Sequence, residues 1–255
     1  MPDQLTRLIK EEAKVDVRVR VVGKTLWVFL PMENMVNGKT GTWEPKSLEK
    51  FNDVMNTIHR VMLSSDAPID FIAFVAADIK KFGVQFLVID YLQDLKEAVL
   101  ERFSRGEFFM RSVRDISFDP MLIGDTLGEN IDYHDITFGE FISLQIIHRT
   151  KNLFARNKTL DSLFDLKTTS WEEKFGILKI ELEFIRKRYD LNPQEEKIKP
   201  LDEVVMVAAQ TFHNYDFKDI QAVELTDTFA DETKKLTLAD LEKVKVTLPE
   251  YSDSE

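Results

Sequence analysis

The chain has 255 residues, enough for one large domain or two small ones with separate cores. Its 34 Lys and Arg against 45 Asp and Glu give a formal charge of −11, which argues against a nucleic-acid backbone or an anionic lipid surface as the main ligand. With no cysteine, disulfides, thiolate metal sites and cysteine nucleophiles are excluded, and 44% hydrophobic with 31% charged residues is a globular composition.

Residues 3–13 read as a short helix with Leu5, Leu8 and Ile9 on one side. The chain enters it without a signal-peptide core, which fits a cytosolic protein or one whose leader has been trimmed. Residues 15–21 alternate strictly, as in a half-buried strand, and after a turn at Gly23 residues 26–30 return as the second strand of a hairpin, ended by Pro31. From Ser47 to Met62 the apolar residues Leu48, Phe51, Val54, Met55, Ile58, Val61 and Met62 fall on one helical face, with Pro45 suited to the first turn. Residues 71–77 are apolar on both faces and predict a central strand, covered within the chain or at an interface. Residues 84–89 form its antiparallel return.

Leu92, Leu95, Val99 and Phe103 predict a helix ending near Gly106, and residues 108–116 carry no assignable pattern. Residues 124–135 read as an acidic loop. Thr137 to Glu140 fits a capping box, with Ile136 and Phe141 as a hydrophobic staple, opening a helix to about Ala155. Residues 173–188 satisfy both a strand alternation and a helical heptad; Gly176 and the isoleucines favour the strand. A helix over 200–212 and two strands at 219–226 and 235–241 follow, then an acidic tail. No run of about 18 apolar residues marks a transmembrane helix.

Strand 26–30, helix 47–62 and strands 71–77 and 84–89 have counterparts in strand 178–184, helix 200–212 and strands 220–226 and 235–241, at an offset of about 150 residues. The expected fold is α+β, antiparallel hairpins packed on amphipathic helices, with a possible duplicated β-α-β-β module. The expected domains are an N-terminal module over 1–118, a helical insert over 119–170, a C-terminal module over 171–248 and the tail over 249–255.

Chemistry is sparse. Asp125, Glu129, Asp132, His134 and Asp135 gather carboxylates and an imidazole in one loop that could hold a hard cation or a His–carboxylate pair, but they lack the ligand rhythm of an EF-hand, and the favoured reading is a solvated loop whose acids suit a nearby helix N-terminus. His59, His148 and His213 fall on three different helices without metal-pair spacing. Trp27 and Trp43, with Phe29, suit an apolar pocket, a partner surface or core packing. Phe108 and Phe109 between Arg105 and Arg111 make a small stacking-plus-cation patch, weakened by Glu107 inside it. There is no glycine-rich phosphate loop and no nucleophile elbow, so no catalytic, cofactor-binding or metal residue is assigned and no cofactor is expected.

The segment Val21-Val22-Gly23-Lys24-Thr25-Leu26-Trp27-Val28-Phe29-Leu30-Pro31, with the later Phe74-Val75-Ala76-Ala77-Asp78-Ile79, resembles stretches of uncharacterised bacterial lipoproteins over roughly residues 5–150. The resemblance implies a cell-envelope location and no defined activity. The leading functional expectation is therefore a non-enzymatic binding or assembly protein of the bacterial envelope with a protein partner or self-association. The alternatives are a cytosolic small-molecule binding or regulatory domain with a pocket between the modules, and a metal-assisted hydrolase using residues 125–135.

Overall fold

The fold is that of a computed structural model, described for residues 1–215 and 219–245. It is α+β and divides into two units, Met1–Ile136 and Thr137–Glu255. The division falls inside the segment 119–170. Residues 119–136 belong to the first unit and the helices after them to the second, so the expected insert does not stand alone. The acidic tail at 249–255 lies outside the described residues.

In the first unit, α1 (Pro2–Glu12) precedes a hairpin of β1 (Arg18–Val22) and β2 (Thr25–Met32). The crossover helix α2 (Pro45–Leu63) leads to β3 (Phe71–Asp78), parallel to β2, and β4 (Val84–Tyr91) returns antiparallel. Then come α3 (Leu92–Val99), α4 (Arg105–Arg111) and β5 (Val113–Phe118), giving a sheet ordered β1-β2-β3-β4-β5. All eight residues of β3 are buried, as its doubly apolar sequence requires. One face, with Ile72, Phe74 and Ala76, joins the α1 and α2 core of Leu5, Ile9, Val54, Ile58 and Met62.

The second unit opens with α5 (Phe138–Arg156) and α6 (Lys158–Leu163), followed by β6 (Phe164–Lys174) and β7 (Ile177–Arg186). The crossover α7 (Pro200–His213), β8 (Ala222–Asp227), β9 (Glu232–Thr237) and α8 (Leu238–Lys243) complete it, with sheet order β6-β7-β8-β9. Thr137 Oγ1 accepts the Glu140 N–H and so caps α5. The segment open to strand or helix is strand, since alternate residues Leu178, Ile180, Leu182 and Phe184 are buried.

Several element boundaries differ from those expected. β2 runs through Pro31 to Met32; β1 pairs with β2 only as far as Phe29, so Pro31 meets an open side of the strand. Gly106 does not end a helix but lies within α4, which starts where Ser104 Oγ accepts the Glu107 N–H. The expected strand 235–241 stops at Thr237. There Thr237 Oγ1 accepts the Asp240 N–H while the Asp240 carboxylate accepts the Thr237 N–H, a capping box that starts α8.

The units share more than element order. In both, a parallel pair (β2·β3, β7·β8) follows a crossover helix that begins at a proline. The Lys24 carbonyl accepts the Asp70 and Phe71 N–H groups, and the Gly176 carbonyl accepts those of Gln221 and Ala222. At the other end Ile79 N–H donates to Met32 O and Thr228 N–H to Leu182 O, each at 2.8 Å. Each second parallel strand ends in a buried aspartate. Asp78 accepts the N–H groups of Met35, Lys80 and Lys81; Asp227 accepts those of Phe184, Phe229 and Ala230.

Asp78 is fully buried, so Asp78→Ala strands three backbone donors and should lower the stability of the first unit by about 3 kcal/mol, with Asp78→Asn losing less because one acceptor oxygen remains. Urea titration followed by tryptophan fluorescence measures both; an unchanged Asp78→Ala midpoint would contradict the role.

Candidate functional site

The acidic loop is a structural cover. Asp125 Oδ1 accepts the N–H groups of Leu127 and Glu129, and Oδ2 that of Asn130. Asp135 Oδ1 accepts the Lys24 N–H at 2.8 Å and the Thr25 hydroxyl at 3.2 Å, which ties the loop to the β1–β2 turn. Gly23 has φ +56°, and a Cβ there would collide with the Asp135 carboxylate. Trp27 donates its Nε1–H to His134 O at 2.7 Å and meets Tyr133 edge-on. Glu129 and Asp132 are exposed, and among the described residues no three His, Asp or Glu side chains converge as a metal set. Of the five residues of the cluster, His134 Nδ1 lies 3.5 Å from the Asp132 carboxylate as a His–carboxylate contact, while Asp125 and Asp135 are spent on backbone N–H groups and the Thr25 hydroxyl.

The other sequence candidates also separate. His148 bonds Asn152 along α5, and His213 bonds the Ala209 carbonyl at the end of α7. Trp27 and Phe29 face the 119–136 loop, whereas Trp43 packs against Phe51 and Phe86 on the α2 side of the sheet.

On that side the first unit has a groove of about 680 Å³ between α2, α3 and α4, floored by β4 and β5. α2 contributes Leu48, Phe51, Asn52, Met55, Asn56 and His59, a stripe at steps of three and four residues beside its core stripe. β4 contributes Phe86, Val88 and Asp90, the alternate residues on one face of the strand. Phe108 and Phe109 come from α4, which is clamped to α3 by Arg111, ion-paired with Asp94 at 3.2 Å and Glu107 at 3.0 Å. Arg114 enters from β5, opposite Val88. The aromatic walls are mutually packed: Trp43, Phe51 and Phe86 lie 5.4–5.5 Å apart by ring centroids.

The polar groups sit at the base. His59 Nε2 lies 2.9 Å from Asp90 Oδ2, and the Asp90 side chain is 2% exposed. Among the described residues Asp90 Oδ1 has no hydrogen-bond partner, nor does the buried Nε of Arg114. The Arg114 guanidinium stacks over Phe109 at 4.2 Å, with Arg105 on the same ring at 5.5 Å. Burial pulls Arg114 down from its ordinary pKa, an effect the Asp90 charge partly offsets. Of the residues in the Arg–Phe segment, Arg105, Phe108 and Phe109 line the groove, while Arg111 stacks on Phe103 at 4.1 Å.

Asp90 and Arg114 were missed by the sequence reading. The expected strand stopped at Ile89, one residue short of Asp90, and residues 108–116 were left unassigned. A signal existed: Asp90 continues the Phe86, Val88 alternation and so places a carboxylate on the buried face.

No family model matches the chain, and no curated protein or solved structure matches it.

Burial works to raise the Asp125 carboxyl, but the N–H groups of Asn130, Glu129, Leu127 and Gly128 together hold it below the ordinary carboxylate value. A depressed folded pKa means that this anchoring is complete above about pH 4 and is lost as pH falls through the lower folded value. Trp27 fluorescence should shift red over that acid range, and Asp125→Ala should show the shift already at neutral pH. A wild-type emission maximum retained by Asp125→Ala would contradict the anchoring.

Proposed function

We propose that the first unit is a small-molecule binding domain whose site is the groove between α2, α3 and α4. The observation that carries this reading is the combination of size and lining. A cavity of about 680 Å³ with five aromatic side chains and a few polar groups at its base is the usual form of a small-molecule site. The comparison of the units adds to it. Relative to the β-β-α-β-β scaffold, the first unit has extra elements, α4 and β5, and these supply Phe108, Phe109 and Arg114. The site lies inside one unit, in contrast to the between-module pocket of the sequence-based alternative.

A second reading keeps the protein-assembly expectation. β5 is a sheet edge, and Ile116 and Phe118 are 66% and 63% exposed on the same face as Arg114. An exposed apolar edge strand is a place where another chain can add. A cell-envelope setting for such assembly rests on the lipoprotein resemblance, and acyl mass on the native protein is its test.

The groove reading predicts that anilinonaphthalene sulfonate binds the full chain with one-to-one stoichiometry. Ala98→Trp, which fills the groove from α3, should weaken that binding at least about tenfold without unfolding the protein. Equal dye binding by the variant would refute the site. For the edge reading, Ile116→Lys should abolish any concentration-dependent association seen by sedimentation; association that survives the substitution would exclude the β5 edge.

A further inference from the structure

The base of the groove holds one unused acceptor and one unused donor. Asp90 Oδ1 and Arg114 Nε are both buried, and neither has a hydrogen-bond partner among the described residues. The two side chains share a face of the sheet. Arg114 pairs across strands with Val88, two residues before Asp90, so the two stand in the diagonal cross-strand relation, about 7–8 Å between backbones. No ion pair joins them. Asp90 spends its other oxygen on His59, and Arg114 lies flat on Phe109.

The second unit offers a comparison for the aspartate when the returning strands are aligned at their entry ends, where Lys24 and Gly176 each hold two N–H groups. In the first unit Ile72 of β3 stands opposite Asp90 of β4; in the second, Val223 of β8 stands opposite Leu236 of β9. From that end the position of Asp90 is matched by an apolar residue; from the exit end, at Asp78 and Asp227, Leu236 matches Val88. An unpartnered buried carboxylate oxygen is unfavourable in an apolar setting, and an unpartnered guanidinium N–H also carries a penalty.

We propose that the groove recognises a zwitterion of the α-amino-acid type with an aromatic side chain. The ammonium donates to Asp90 Oδ1, the carboxylate accepts from Arg114, and the ring lies among Trp43, Phe51, Phe86 and Phe108. This deepens the small-molecule reading and rests on it. The head-group chemistry follows from the charges present. A carboxylate alone would face Asp90, and an ammonium alone would face Arg114 and Arg105; only a head carrying both signs satisfies both. The walls offer edge-to-face contacts to a ring, the geometry Trp43 already has with Phe51 and Phe86.

The test is calorimetric titration of the full chain with L-tryptophan, L-phenylalanine, 3-phenylpropionate and 2-phenylethylamine, with displacement of the groove dye as a second readout. The expected result is that both amino acids bind and displace the dye, while the two half-ligands bind at least about tenfold more weakly. Asp90→Asn should reverse the preference, favouring 3-phenylpropionate over L-phenylalanine, because the charge repelling a lone carboxylate is gone. Arg114→Gln should favour 2-phenylethylamine in the same way. A merely structural role for either residue would lower all affinities together and leave the order unchanged, which overturns the proposal. So does dye binding that is blocked by Ala98→Trp while no amino acid competes, or half-ligands binding as well as the zwitterion; in both cases the groove remains a ligand site of other specificity. Failure of the dye itself to bind overturns the proposal and the small-molecule reading together.

Discussion

Each unit depends on a parallel strand pair whose open end is closed by a buried aspartate. A parallel pair needs a crossover, here α2 or α7, and the crossover leaves the chain to re-enter the sheet beside a strand laid down some forty residues earlier. At the entry end one carbonyl, Lys24 or Gly176, holds two successive N–H groups of the returning chain. At the exit end Asp78 or Asp227 gathers three N–H groups, two from the turn that starts the next hairpin and one from the neighbouring strand or the segment after it. These contacts fix both the register of the parallel pair and the direction in which the following strand leaves. The position of β4, and with it the floor of the groove, is therefore set by Asp78 at the far end of β3.

The groove exists because the first unit continues past β4 and α3. A fifth strand widens the sheet beyond what α2 covers, and α4 is held to α3 over the uncovered part by the Arg111 bridge to Asp94, with Glu107 fixing the Arg111 side chain within α4. That bridge is largely buried, with side-chain exposures of 14% and 6% for Arg111 and Asp94, so it is less screened than the surface ion pairs elsewhere in the unit. The result is two helical walls over a sheet floor with a gap between them, and the gap is filled on neither side by a core residue.

Much of the scaffold was legible in the sequence, for physical reasons that can be named. β3 is apolar at every position because both its faces are covered, and α2 and α7 carry long periodic stripes behind an N-terminal proline. The α+β class and the matching order of strands, crossover helix and hairpin followed from those signals. What escaped was short or locally ambiguous. α4 is a single short helix with a glycine at its second position, and the start of β6 at Phe164 follows directly on α6, so neither shows a full period. α8 was read as strand because Lys235 to Leu241 alternates, although the Thr237 and Asp240 pair stops the strand after Thr237. For the site, the rings were visible but their grouping was not. Trp27 and Trp43 look alike in the sequence, yet β2 directs one to the loop side and the chain before α2 brings the other to the groove.

The polar base of the groove is where local rules and the fold disagree. In a strand that buries Val88 and Ile89, an apolar residue at position 90 would add burial without a charge to satisfy. Asp90 instead has one partner, His59, reached from α2 across the groove floor at 2.9 Å. The pair is specific in direction: it occupies Oδ2, orients the carboxylate and leaves Oδ1 buried without a hydrogen-bond partner among the described residues, on a residue that lines the groove with Arg114. Removing His59 would free a second oxygen and loosen that orientation, so the imidazole is a positioning group for the carboxylate. Stability alone gives no reason for this arrangement, since a buried carboxylate with one partner is weaker than the leucine it could be. A ligand that supplies the missing donor to Asp90 and the missing acceptor to Arg114 removes both penalties in one step, and its binding energy is then drawn from the same strain that makes the empty base unfavourable.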